Sequence, residues 1–168
     1  MYILGLKRKT IKLIPHQKMW DDYFIKEKKR IQKAIPEIYV EHVGSTAIPS
    51  ICAKPIIDIA LGIDKMKDFN KYKNKLTKLG YKYHANRGSR FNKIFTKGPA
   101  DCRVDYIHLV RYKGKHWQKY INFRDKLIKN KKLAKEYERL KIKLAKEFEN
   151  RDYYTKAKEK FISNIINS

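Results

Sequence analysis

Cysteine, arginine, acidic residues and long apolar runs are all scarce in this chain, and each scarcity excludes something. Cys52 and Cys102 are the only two cysteines and lie in different segments. They match no zinc-ligand spacing and are too few for a disulfide scaffold, so both are expected reduced, in a cytosol. No run of about 18 apolar residues occurs, which excludes a membrane-spanning helix. The N-terminal stretch MYILGLKRKTIKLI places its basic cluster after a short apolar run and has no small-residue cleavage site. It does not read as a signal peptide, and a cytoplasmic location is expected. There is no low-complexity segment.

Positive charge is abundant. Lys and Arg number 41 against 17 Asp and Glu, a net charge of +24 over 168 residues. One interpretation is an anionic partner: nucleic acid, a nucleotide or a membrane surface. The other is a solvated surface set by an AT-rich genome. Lysine makes up 32 of the 41 basic residues, no block of five or six occurs, and Arg, the better bidentate reader of phosphates and bases, is rare. Apolar content of 42% over this length suits one ordinary domain with its own core.

One window departs from the average. Residues 39–62, YVEHVGSTAIPSICAKPIIDIALG, hold a single basic residue, Lys54. A β-rich run, Tyr39 to Val43, turns sharply at Gly44-Ser45-Thr46. Pro49 and Pro55 bracket a constrained loop, and an apolar run from Ile56 to Leu61 is interrupted by Asp58. A carboxylate in a buried strand costs several kcal/mol if unpaired, on the order of known burial penalties. A cation, a metal or a phosphate-bearing ligand should accompany it.

Around this window the chain orders itself. TIKLI, before Pro15, reads as a short strand, and His16 to Ala34 as a helix ended by Pro36. In the strand 38–43, Tyr39, Glu41 and Val43 face one way and Val40 and His42 the other. Asp64 is a candidate N-cap for a helix over 65–79, stopped by Gly80. Strands at 81–84 and 91–96 flank a polar loop with Arg87, Gly88 and Arg90, either a phosphate-facing loop or an ordinary hairpin connection. RVDYIHLVR, residues 103–111, is a strand with Asp105, Ile107 and Leu109 on one face and Tyr106, His108 and Val110 on the other. Three helices follow, at 115–129, 131–149 and 152–167. The fold class expected is α+β: a small mixed sheet of four or five strands, flanking helices and an all-α C-terminal third. A single domain over 1–168 is expected, with a core over about 1–112 and helices from about 115.

Gly44 would let the backbone approach a ligand closely. Ser45, Thr46 and neighbouring amides could hold a phosphate, with Asp58 holding a divalent cation against it and Lys54 as counter-charge. Glu41 and Asp105 are further candidate metal ligands, and His108 a base or ligand. The bland alternatives are a capped turn for Ser45 and Thr46, a paired buried acid for Asp58 and a core histidine for His108. Glu41 is preferred over His42 as the residue lining the cleft. Arg90 and Arg103 are candidate phosphate clamps, against plain surface charge. Tyr137/Lys141 and Tyr154/Lys158 are each one helical turn apart, so each lysine either reaches into a cleft or snorkels to solvent. His16, His84 and His116 read as incidental.

The segment EHVGSTAIPSICAKPIIDIALGI resembles the signature of the GrpB family. The resemblance continues through RVDYIHLVR, NFRDKLIKN, Tyr137/Lys141 and Tyr154/Lys158 with Phe161. It implies a relation to the DNA polymerase beta-like nucleotidyltransferases, which pair a Gly-Ser turn with a strand bearing metal-binding acids and a third acid on a later strand. Gly44, Ser45 and Asp58 match that pattern, and Asp105 would be the third acid. The second acid should fall at position 60, where this chain has Ala60. Magnesium-dependent transfer of a nucleotidyl group to an unknown acceptor is therefore one expectation. A non-catalytic module for a nucleotide, a CoA-like ligand or a partner protein is another, and nucleic-acid binding through the basic surface a third.

Overall fold

A computed structural model describes residues 3–7, 9–99 and 101–167. The elements run β1 (Leu6–Lys7), α1 (Lys18–Ala34), β2 (Tyr39–Val43), β3 (Ile57–Ile63), α2 (Phe69–Lys78), β4 (Lys82–Ser89), β5 (Asn92–Lys97), β6 (Cys102–Arg103), β7 (Asp105–Arg111), α3 (Lys115–Lys129), α4 (Lys131–Glu147), α5 (Arg151–Ala157) and α6 (Glu159–Asn167). Five strands form a mixed sheet in the order β2-β3-β7-β5-β4, and β1 and β6 form a small separate ribbon. This is the expected α+β class.

The centre of the sheet is the parallel pair β3–β7, with Asp58 beside Tyr106 and Ala60 beside His108. β3 is buried at every position but Asp58, on one face along its whole length and on the other from Ala60 onward, which explains why it is almost continuously apolar. On one face Ile57, Ile59, Leu61, Ile107 and Leu109 join Trp20 and Ile31 of α1 and Tyr72 and Leu76 of α2 in the main core. On the other, Val43, Ala60 and Val110 receive Trp117 of α3. Gly62 allows that approach, since a Cβ there would stand 2.9 Å from the indole.

A second core ties the C-terminal helices to the constrained loop. Ile48 and Ile51 meet Phe123, Leu127, Ala134, Tyr137 and Ile165. Each buried isoleucine contributes roughly 1.5–3 kcal/mol of transfer free energy. The loop after Gly44 is therefore clamped between sheet and helices, and a cavity is left beside it.

Several local expectations are corrected. TIKLI forms no strand; only Ile14 pairs, in an isolated bridge to Ala53. Asp64 is not the N-cap, because a 3₁₀ turn over Met66–Asp68 leads into α2. The loop 85–90 is mostly strand, carried through by a bulge between His84 and Gly88. The last helix is two, broken between Ala157 and Glu159. Gly80 does end α2, at φ +83°. Both cysteines are free thiols. Among the described residues no helix is long and apolar enough to cross a membrane.

Candidate functional site

The Gly44 turn, the β3–β7 face and the C-terminal helices enclose a cavity of about 830 Å³. Gly44 sits at φ +71°, ψ −168°, a region essentially reserved for glycine. It brings the turn against Asp58, where a Cβ would stand 2.5 Å from Oδ2. A 3₁₀ turn over Ser45–Ala47 follows. Seven Lys or Arg side chains line the cavity, against two acids, Asp58 and Glu159.

On the sheet face, His108 Nε2 lies 3.8 Å from Asp58 Oδ1. That is too long for a hydrogen bond and leaves a gap that a ligand atom can bridge. The other ring nitrogen is 2.9 Å from the Tyr120 hydroxyl, which accepts from Asn92 Nδ2 at 2.8 Å. With Asn92 donating to it, the Tyr120 hydroxyl keeps its own proton for Nδ1; on that assignment the proton of neutral His108 sits on Nε2, toward Asp58. Burial pushes the Tyr120 phenol up, so it stays a donor.

On the helical side, Tyr137 and Tyr154 meet the cavity together with Lys54, Lys141 and Lys158. The Tyr137 hydroxyl is directed at Ser45. Lys141 Nζ donates to the carbonyl of Cys52. Burial, then the neighbouring Lys158, push the Lys141 ammonium down to about 7.

The structure sorts the expected site residues. Gly44, Ser45, Thr46, Lys54, Asp58, Arg103, His108, Lys141 and Lys158 all line the cavity. The Thr46 hydroxyl is turned inward, however, 3.0 Å from His42 Nε2 and 3.4 Å from the carbonyl of Ile56. Arg103 is buried and donates to Thr96 Oγ1.

Three candidates fall elsewhere. Asp105 belongs to the opposite face: fully buried, it accepts from the Tyr23 hydroxyl at 2.9 Å. Strand alternation puts it back to back with His108. Glu41 shares the Asp58 face but is drawn to Arg124, at 2.7 Å, and lines a neighbouring smaller cleft. Arg90 lies over the ring of Phe91, 4.6 Å from its centre, outside the cavity. Arg87, from the same hairpin, takes the place at the cavity by donating to the Tyr106 hydroxyl.

The expected magnesium set of Asp58, Glu41 and Asp105 is therefore not assembled. Among the described residues no three His, Cys, Asp or Glu side chains converge as metal ligands. The residues present therefore do not fit a metal held by several protein carboxylates.

Sequence reasoning missed Tyr120 and Asn92. Tyr120 was legible only as part of the apolar stripe of α3, and Asn92 as a polar residue of β5. His16 lies outside the cavity, with its Nε2 3.0 Å from Asp21.

Comparison with known proteins decides the family. The profile of the family described as GrpB protein matches residues 10–168. The chain belongs to the GrpB family. A glutamate-rich protein GrpB of Alkalihalophilus pseudofirmus is 37% identical, over 98% of this chain and 99% of that one. A crystal structure of the conserved protein GrpB from Enterococcus faecalis superposes with a TM-score of 0.83 at 26% identity, covering 93% of this chain and 95% of that one. A Cid1 poly(U) polymerase bound to MgATP gives a TM-score of 0.46 at 9% identity, over 77% of this chain and 45% of that one. The description glutamate-rich does not suit this member of the GrpB family, which has 17 acidic residues against 41 basic ones.

Proposed function

We propose that the cavity binds a phosphate-bearing small molecule, in the first instance a nucleoside triphosphate, and transfers its nucleotidyl group to an acceptor hydroxyl. One observation carries this: Asp58 is pressed against the Gly44 turn inside a cavity lined by seven Lys or Arg side chains. Lysines and arginines supply the charge neutralisation that phosphoryl chemistry needs. In the transfer the acceptor oxygen bonds to the α-phosphorus and pyrophosphate leaves. The acceptor proton passes to Asp58, while the acceptor oxygen, set in the gap between the two side chains, faces the Nε2–H of His108. Tyr120 and Asn92 position that histidine.

A second reading has its own support. Ala60 stands where a transferase of the resembled kind has its second acid, and Asp105 faces away. The same cavity would then hold a nucleotide or CoA-like ligand without turning it over.

Calorimetric titration with a panel of NTPs, with and without Mg²⁺, followed by assay for pyrophosphate, tests both. Binding, plus pyrophosphate release that Asp58→Asn abolishes, supports transfer. Binding without pyrophosphate for any acceptor class leaves the binding module. If no nucleotide binds while an oligonucleotide does, with a steep salt slope, the cavity reading fails and the basic surface is the functional feature.

A further inference from the structure

The helical wall of the cavity groups three of its lysines with a buried tyrosine. Tyr154 is 0% exposed and lines the cavity, yet its hydroxyl has no hydrogen-bond partner among the described residues. Orphaned buried hydroxyls are rare and call for an explanation. Lys158 Nζ lies 4.3 Å and Lys54 Nζ 4.7 Å from the centre of the Tyr154 ring. Lys141 Nζ lies 4.8 Å from the centre of the Tyr137 ring. Two of these lysines are nearly buried, Lys141 at 1% and Lys158 at 9% exposure.

Gathering ammonium groups in a buried place is costly unless something compensates for it. The groups facing Lys141 are Lys158 across the cavity wall, Glu138 on its own helix, Cys52 from the loop and the Tyr137 ring. The carbonyl of Cys52 takes one of its three protons. Burial and Lys158 hold this amine at about 7, so without a ligand it is only about half charged at neutral pH.

Three amines and a phenol O–H lining one cavity wall match an anion with several acceptor oxygens and more than two charges. A carboxylate has too few oxygens, and a single phosphate brings at most two charges. A chain of phosphates meets the set. The wall is also correctly placed for it. Tyr137 connects it to Ser45 and feels the charge of Asp58, so a chain of phosphates would run from the helices toward the turn.

We propose that Lys54, Lys141, Lys158 and Tyr154 form a polyphosphate subsite on the helical wall, and that filling it draws a proton onto Lys141. This rests on the reading that the cavity takes a phosphate ligand. It adds an orientation: the terminal phosphates lie against α4–α6 and the α-phosphate lies toward Gly44 and Asp58.

Inorganic tripolyphosphate is the probe, since it has the phosphates and nothing else. Calorimetry in two buffers of different protonation enthalpy gives the protons exchanged on binding. The difference between the wild type and Lys141→Met isolates the share of Lys141. For an amine held down to about 7, that share is larger at pH 8 than at pH 6. Lys141→Met and Lys158→Met each weaken binding at least about tenfold. Tyr154→Phe weakens it about fivefold and leaves the proton uptake in place.

Melting temperatures check each variant, and Lys141→Met should melt no lower than the wild type because it removes a buried amine. If it does not fold, Lys158→Met and Tyr154→Phe carry the affinity test, and the wild-type pH dependence carries the proton count. Tripolyphosphate binding of equal strength in folded Lys158→Met and Tyr154→Phe overturns the subsite. So does binding without the pH-dependent uptake. If ATP binds the wild type and tripolyphosphate does not, the subsite is wrong while the cavity reading stands. If neither binds, both fall.

Discussion

Gly44 and Asp58 are packed so closely that the α-carbon of the one can carry no side chain while the carboxylate of the other keeps its place: a Cβ would lie 2.5 Å from Oδ2. The backbone at Gly44, φ +71° and ψ −168°, adds a second penalty for any L-residue. Gly44→Ala is expected to destabilise the protein by about 2–4 kcal/mol and to displace Asp58. Gly80→Ala is the control, because Gly80 has φ +83° but nothing within 4 Å of where a methyl group would stand. It should lose only about 1–2 kcal/mol. Urea unfolding of both variants separates the clash from the strain.

Asp105 should make the protein less stable as pH rises through the weakly acidic range. Burial raises its carboxyl to about 7, outweighing the hydrogen bond from Tyr23, with Glu27 adding to the rise. The unfolded chain releases this proton near pH 4 while the folded chain keeps it to about 7. Between those values the native state binds more protons, so stability falls with pH, by up to about 4 kcal/mol. Asp105→Asn should flatten that slope and match or exceed the wild type at pH 7. Melting curves at half-unit pH steps measure it, and a wild-type profile that rises from pH 5 to 7 would contradict it.

His108 is held as one tautomer by the Asn92–Tyr120 chain. Nitrogen-15 NMR of the histidine rings above pH 7.5 should show His108 with its proton on Nε2. Tyr120→Phe removes the donor to Nδ1 and should yield a mixture of tautomers. Because Tyr120 is proposed to act through His108, nucleotide affinity should change less than turnover does.

Glu27 closes a buried network under α1. It accepts from Arg30, from the Tyr81 hydroxyl at 2.6 Å and from Lys97 at 3.1 Å. Burial works against its ionisation, but these three donors hold its carboxyl below the usual range. Glu27→Gln leaves the two cations under-compensated, though Arg30 and Lys97 keep some access to water. A loss of about 2 kcal/mol is expected, below the 3–5 of a fully buried broken pair. Chemical denaturation at pH 7 measures it.

The α+β class, the Gly-Ser turn and the strand carrying Asp58 were legible because each has a local signature: a glycine with no steric alternative and an apolar run with one charge. The alternation of RVDYIHLVR already separated Asp105 from His108, so strand geometry alone argued against their sharing a ligand. Glu41 was placed on the correct face by the same rule. Its capture by Arg124 depends on how α3 docks, which no local pattern encodes. Tyr120 shows the same limit: an aromatic at helical spacing reads as core, and only the docked helix shows that its hydroxyl reaches His108. The strand expected at TIKLI reduces to a single bridge from Ile14 to Ala53, in the loop before β3.

The parallel pairing of β3 with β7 has a consequence for how the chain is made. Ile57 finds Asp105 only after α2 and the β4–β5 hairpin have intervened, and such distant pairing slows folding. During synthesis the sheet closes once β7 has emerged, while α3–α6 are still to come. For that interval Val43, Ala60 and Val110, later covered by Trp117, face water. A fragment ending near residue 112 would keep that apolar face bare and is expected to aggregate. The helices that roof the cavity thus also act late as the chain's own guard against self-association.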